Sequence, residues 1–166
     1  ITLRQIASEL EISSGSLYYY FPSKSNILEE MFDLFAKRDV KAILSNFEER
    51  DSYETKIAKI FDYVGSRESY FQNILLLTID YFRHDLSENS NKLNQFVINY
   101  RDGIGSFLEL PASMNSMLIL FLNGLVYNRM IFPEIVSFEK QCDYFKKMIT
   151  LYVKEYININ KKKGDE

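Results

Sequence analysis

An all-α fold is predicted by three observations on this 166-residue sequence. Only three prolines and six glycines interrupt it, too few for a sheet with many turns. Leucine, isoleucine, phenylalanine and charged residues fill long segments at helical spacing. A hydrophobic content of 46%, with 15% aromatic, is enough for a sizeable core and argues against disorder.

The first helix is expected to start at Thr2, because Thr2 and Gln5 have the spacing of a capping box. Leu3, Ile6, Ala7 and Leu10 then form one apolar face over about two turns. Glu11 and Ile12 make a short connector. Ser13 or Ser14 caps a second helix, in which Leu17 and Phe21 point back at the first while the residues between them face outward. Pro22 stops that helix and Ser23 caps a long one from Lys24, with Ile27, Met31, Leu34 and Phe35 as its buried stripe. Val40, Ile43, Leu44 and Phe47 continue it without a glycine or proline, so it joins the N-terminal motif rigidly to the rest.

Asp51 with Glu54 marks the next start, and Tyr53, Ile57, Ile60, Phe61 and Val64 give an apolar face before Gly65, read as a C-terminal cap. After Ser66, Phe71, Ile74, Leu75, Thr78, Ile79, Phe82 and Leu86 continue at helical spacing. Ser87 to Asn91 reads as a loop. Leu93, Phe96, Val97, Tyr100, Ile104, Phe107 and Leu108 mark another helix containing Gly103 and Gly105, and Pro111 opens the next. Ser113 to Phe132 is apolar nearly all round, the pattern of a helix buried by its own subunit on one side and by a partner on the other. Pro133 ends it. In the last helix, after Ser137, residues Phe138, Cys142, Phe145, Ile149, Tyr152, Tyr156 and Ile159 alternate steps of four and three as an a/d-like seam, with Met148 and Leu151 as a second apolar edge. Two consecutive helices with surplus apolar surface predict a two-fold homodimer built as a four-helix bundle, its interface formed by Phe145, Ile149, Tyr152 and Tyr156.

The single cysteine, Cys142, excludes an internal disulfide, and with the single histidine, His84, it excludes the usual Cys/His zinc sites; a reducing cytoplasm is expected, with no metal and no cofactor. Cys142 lies on the apolar seam and reads as a small buried hydrophobe. His84, between Arg83 and Asp85, reads as solvated, as do Lys161 to Lys163, which complement the dipole at a helix C-terminus. No signal peptide is visible, and the apolar run Met117 to Leu122 is far short of the roughly 20 residues that span a membrane. One histidine cannot furnish a Ser/His/Asp or Cys/His arrangement and there is no glycine-rich phosphate loop, so no catalytic residue is assigned.

The stretch IASELEISSGSLYYYFPSKSNIL resembles the DNA-binding signature of the TetR family of transcriptional regulators. The alanine of the first helix, the serine-rich turn, the early glycine, Tyr-x-Tyr-Phe and the lysine three residues beyond the phenylalanine carry the likeness. Beyond Leu28 only helix pattern and length are similar. In a helix-turn-helix the N-terminal part of the second helix meets base edges, which makes Ser14, Gly15, Ser16 and Tyr19 the candidate readers of operator DNA. The resemblance implies that Tyr18, Tyr20 and Lys24, with Thr2, hold the phosphate backbone. A lysine is frequent in that family where Ser14 stands here. The family also carries one more helix ahead of the capping threonine, so a chain lacking its first helix is expected. Net charge is −3, and Thr2 to Lys24 holds Arg4 and Lys24 against Glu9 and Glu11, so binding must rest on local contacts.

The resemblance further implies a ligand cavity between the long helix and the helices before the dimer bundle. Phe35, Phe61, Tyr81, Tyr100, Phe121 and Tyr127 are the candidate lining residues, and a neutral or weakly charged aromatic or lipophilic effector is favoured. Residues 1–24 thus form the DNA-binding motif, completed by the long helix to about residue 46, and 47–166 the ligand-binding and dimerisation domain. The function expected is a ligand-responsive regulator, a repressor released from a pseudo-palindromic operator by a small inducer. The alternative is a helical dimeric ligand- or protein-binding module with little DNA binding of its own.

Overall fold

Thr2 starts the first helix as its side chain dictates. Its hydroxyl accepts from the Gln5 backbone N–H at 3.2 Å, and the Gln5 side-chain oxygen accepts from the Thr2 N–H at 2.8 Å. The computed structural model describes residues 2–84, 90–108 and 112–164, which form eight α-helices and no strand. They are α1 (Leu3–Glu9), α2 (Ser14–Tyr20), α3 (Lys24–Leu44), α4 (Tyr53–Gly65), α5 (Glu68–His84), α6 (Ser90–Leu108), α7 (Ala112–Ile131) and α8 (Phe138–Gly164). Residues 85–89 and 109–111 lie outside this set, and with them most of the expected loop after Ser87 and the helix start at Pro111. The side chains of His84, Leu93, Ile159 and Lys161 to Lys163 lie outside it too.

The turn between α1 and α2 closes without glycine. Glu11 takes the left-handed conformation at φ 54°, while Ile12 N–H bonds to the Ala7 carbonyl at 3.0 Å and Glu11 N–H to the Ser8 carbonyl at 3.2 Å. This double closure satisfies the open carbonyls of α1, at the cost of a conformation that non-glycine residues disfavour by about 1–2 kcal/mol. Ser13 is the cap of α2, accepting from Ser16 N–H at 3.0 Å. Ser23 caps α3 through Asn26 N–H at 3.2 Å. Leu3, Ala7 and Leu17 form a small core of their own, with Ile6, Phe21 and Ile27 packed against it.

The buried face of α3 differs from the expected stripe. Leu28, Phe32, Ala36 and Ile43 are inside together with two acids, Glu29 and Asp39, whereas Leu34 is 59% exposed. A hydropathy pattern assigns acids to solvent; here buried Tyr81 donates to Glu29 and buried Tyr63 to Asp39. The helix also ends at Leu44, before Phe47. At the start of α4, Ser52 is the cap, accepting from Thr55 N–H at 3.2 Å. Asp51 instead accepts from Glu48 N–H at 2.8 Å and pairs with Lys59 at 2.7 Å. Gly65 closes α4 without a positive φ. Its role is close approach: a Cβ there would lie 2.9 Å from the Phe138 ring.

Helix α3 packs along α6, α6 along α7, α7 also against α5, and α8 along α4. The α3/α6 crossing is tight at Gly103, where a Cβ would meet the Val40 side chain at 2.7 Å. The main core joins Ile57, Ile60 and Phe61 of α4 to Leu118 and Leu122 of α7 and to Phe145, Ile149 and Val153 of α8. A second core joins Leu28, Phe32 and Ala36 of α3 to Ile74 and Tyr81 of α5 and Phe96 of α6. Arg129 fastens the end of α7, donating to both carboxylate oxygens of Glu68 at 3.0 and 3.2 Å and to the Pro133 and Val136 carbonyls.

Candidate functional site

The second helix of the N-terminal motif presents an aromatic, uncharged surface. Tyr19 is 82% and Tyr20 72% exposed, their rings meeting edge to face at 5.1 Å, and Tyr18 is half exposed. Leu17, between them and the turn, is buried and holds α2 on α1. Ser14 is half-buried and Gly15 and Ser16 are exposed on the same short helix; the Ser16 hydroxyl lies 2.8 Å from that of Ser13. Gly15 has no neighbour closer to a hypothetical Cβ than Ser13 Oγ at 3.9 Å, so a larger side chain fits there sterically. Thr2 is exposed and engaged in its capping box. Lys24 is turned toward α5, with Nζ 3.0 Å from Asp80 Oδ2. A phosphate contact by Lys24 would have to compete with that carboxylate.

A cavity of about 120 Å³ lies among α4, α5, α6 and α7, touching α3 at Ile43. Ile60, Val64, Phe71, Ile74 and Leu75 line one side and Phe96, Ile104, Ile119, Leu122 and Val126 the other. Val97 and Asn123 are exposed residues at its rim, and Thr78 and Tyr100 add the remaining polar atoms. No charged side chain lines it. Apolar cavities of about 150 Å³ admit benzene, so this somewhat smaller space, open at its rim, limits an occupant to about a single neutral ring or a short aliphatic chain.

Of the six aromatic residues expected to line a cavity, Tyr100 does so. Phe121 lines instead an open groove beside Leu120, Gly124 and Gln141, and the other four are corrected, each for a packing reason. Phe61, Phe121 and Phe145 form one aromatic cluster in the core, Phe121 stacked on Phe145 at 3.9 Å and Phe61 edge-on to both. Tyr81 is buried and donates to Glu29 Oε1 at 2.9 Å. Phe35 packs edge-on to Tyr70 under the Arg38 guanidinium. Tyr127 faces outward, 45% exposed. The aliphatic walls were missed because aromatic content does not distinguish a core from a cavity lining.

Above the cavity, on its α3 side, sits an arrangement that hydropathy does not signal. Asp39 is fully buried, and the hydroxyls of Tyr63 (α4), Tyr70 (α5) and Tyr100 (α6) all donate to its carboxylate, the first two at 2.9 and 2.8 Å. Arg38 Nε is 3.6 Å from Asp39 Oδ1, and Arg38 and Arg67 donate to Tyr70 and Tyr63 in turn. Burial first, and the Asp39 hydrogen bond second, push the Tyr63 hydroxyl up to about 12 and the Tyr70 and Tyr100 hydroxyls higher still. All three phenols therefore stay protonated and donate at physiological pH.

The seam expected to form a dimer interface is corrected in part. Phe145 and Ile149 are each 5% exposed and fill the subunit's own core against α4, whereas Tyr152 is 56% exposed and Tyr156 half-buried. The outward apolar surface is formed by Met117, Leu120, Tyr127 and Ile131 of α7 with Tyr144, Met148, Leu151 and Tyr152 of α8. Cys142 is buried, and burial pushes its thiol up to about 12, which keeps it protonated and unreactive. Among the described residues no His/Cys/Asp/Glu cluster could hold a metal ion, and no single helix is long and apolar enough to cross a membrane.

Two short helices joined by a tight turn and sharing a private core, with an exposed second helix and a long helix leading into a helical body, form a helix-turn-helix. Residues 1–31 match the family model described as bacterial regulatory proteins, tetR family. The match supports a DNA-binding domain of that family and a DNA-binding transcriptional regulator, and points away from an enzyme. No curated protein and no solved structure matches the chain significantly.

Proposed function

We propose that this chain is a transcriptional repressor that binds a pseudo-palindromic operator as a two-fold dimer and is released by a neutral lipophilic or aromatic inducer of single-ring size. The observation that carries this reading is the uncharged cavity, one wall of which is Ile43 of the same helix that begins in the helix-turn-helix core at Ile27. Helix α3 has 21 residues, about 31 Å of rigid rod, so a small tilt at the cavity becomes a displacement at α2. Two recognition helices about one DNA turn, roughly 34 Å, apart cannot both stay in register when that spacing changes.

Selection of duplexes from a random pool, followed by gel-shift titration with and without toluene, tests the reading. The expected result is a selected inverted repeat whose affinity falls about 5- to 150-fold with toluene, the usual range of coupling, and is unaffected by benzoate. Failure to enrich any sequence favours the alternative of a helical dimer with little DNA binding of its own. The Lys24 to Asp80 ion pair supports that alternative, since it leaves Arg4 as the other cation of the motif.

Two variants probe the site. Tyr19→Ala should change which operator is enriched, because the residue is the most exposed of the recognition helix, whereas Lys24→Ala should weaken all duplexes alike and lower the salt slope by about one. Equal loss on every sequence for Tyr19→Ala would count against base reading. At the cavity rim, Val97→Phe should fill the space with little strain, since Val97 is half exposed. The variant is expected to lose the rise in Tm that toluene gives the parent chain; an unchanged rise would mean that toluene binds elsewhere.

A further inference from the structure

We propose that Asp39 is the contact through which filling of the cavity reaches α3: a ligand that displaces the Tyr100 ring breaks its bond to Asp39 and loosens α6 from the connecting helix. The inference rests on the ligand-responsive reading above and names its internal device.

Tyr100 belongs to both structures, its ring on the cavity wall and its hydroxyl on the α3 carboxylate. The other two donors are one contact away, because Phe71 of the cavity wall packs edge-on to Tyr63 at 6.1 Å and to Tyr70 at 5.1 Å. Movement of the wall therefore bears directly on the Tyr100 hydroxyl and only through Phe71 on the other two. The crossing of α3 and α6 is also tight at this level. Gly103, one turn beyond Tyr100, abuts Val40, the residue after Asp39, so a shift of α6 cannot be absorbed by empty space between the helices.

The arrangement has two workable states. With Tyr100 withdrawn, the carboxylate keeps Tyr63, Tyr70 and the Arg38 guanidinium, so the chain loses one bond without stranding a buried charge. From Asp39 to Ile27 the helix runs about 18 Å, and Ile27 packs on the core that carries α2. A bond made in one state and broken in the other is the differential interaction that a ligand needs to shift a conformational equilibrium.

Hydrogen exchange of α3 backbone amides in the full chain, with and without toluene, tests the proposal and uses no DNA. In the parent chain toluene should accelerate exchange over residues 36–43 at least fivefold. Tyr100→Phe keeps the ring on the wall and removes the hydroxyl. It should bind toluene within threefold of the parent, exchange at the toluene-bound rate without ligand, and gain less than twofold on adding it. Tyr63→Phe removes a hydroxyl from the same carboxylate away from the cavity wall, and should keep its at least fivefold toluene response. A full response in Tyr100→Phe, or equal loss of response in both variants, overturns the proposal. Toluene binding to the parent chain without acceleration at α3 overturns it alone, no toluene binding overturns it together with the proposed inducer, and failure to select an operator bears on the repressor reading only.

Discussion

Replacing Asp39 with alanine is expected to lower the free energy of unfolding by about 3–5 kcal/mol, the largest effect of any single substitution outside the apolar core. Three tyrosine hydroxyls from three helices donate to this one side chain, which has no exposed surface. Alanine leaves each without its acceptor, at about 1–3 kcal/mol per buried unsatisfied group, and water entering the vacated space recovers part of that sum. The shape is also lost. Asp39→Asn keeps the volume and one acceptor oxygen but turns an amide toward hydroxyls that are already donating, so an intermediate loss is expected. Urea unfolding at one fixed protein concentration measures both, and an alanine variant within about 1 kcal/mol of the parent would mean that Asp39 does not hold α4, α5 and α6 on α3.

The second large effect is expected at the outward face of α7 and α8. Leu120 and Leu151 are each 69% exposed, and Met117 and Tyr127 on α7 and Met148 and Tyr152 on α8 are exposed at helical spacing from them, apolar surface on two helices in contact of the kind a second copy covers. Leu151→Glu should raise the dissociation constant of a dimer at least 100-fold. Burial of a leucine contributes about 1.5–3 kcal/mol, and in a two-fold interface each substitution acts twice. Ile149→Glu, two residues away, should unfold the subunit instead, because its side chain is inside the core against α4. Sedimentation and circular dichroism on both variants separate the outcomes. A parent chain that sediments as a monomer at micromolar concentration would refute the interface.

Local structure was legible because its determinants are local. The capping side chains of Thr2 and Ser23 bond within three residues of themselves, so their spacing alone announces the starts of α1 and α3. Ser13 and Ser14 are equivalent caps by sequence, since either can reach the N–H of a residue three on; the structure selects Ser13. The sequence marks Glu11 and Ile12 as a connector but hides the left-handed conformation of Glu11, because glutamate stands where glycine usually signals it. The buried stripe on α3 differs from the expected one for another reason. Leu28, Phe32, Ala36 and Ile43 repeat at helical steps through Asp39, and the row is visible only when the aspartate is allowed to be buried.

What the sequence by itself determined was the all-α class, the order of the helices and the helix-turn-helix, since apolar periodicity, caps and the absence of glycine or proline act within a turn or two of chain. Tertiary structure decided everything that depends on which helix lies beside which. Three tyrosines separated by up to 37 positions meet on one carboxylate, the Phe61, Phe121 and Phe145 cluster packs in the core while mostly aliphatic side chains enclose the cavity, and on α8 the seam at Phe145 and Ile149 turns inward. Helix α8 is apolar on two faces and α7 nearly all round, so periodicity leaves open which face meets its own subunit; only the packing of neighbouring helices makes that choice, because burial is a property of the assembled surface and not of the segment.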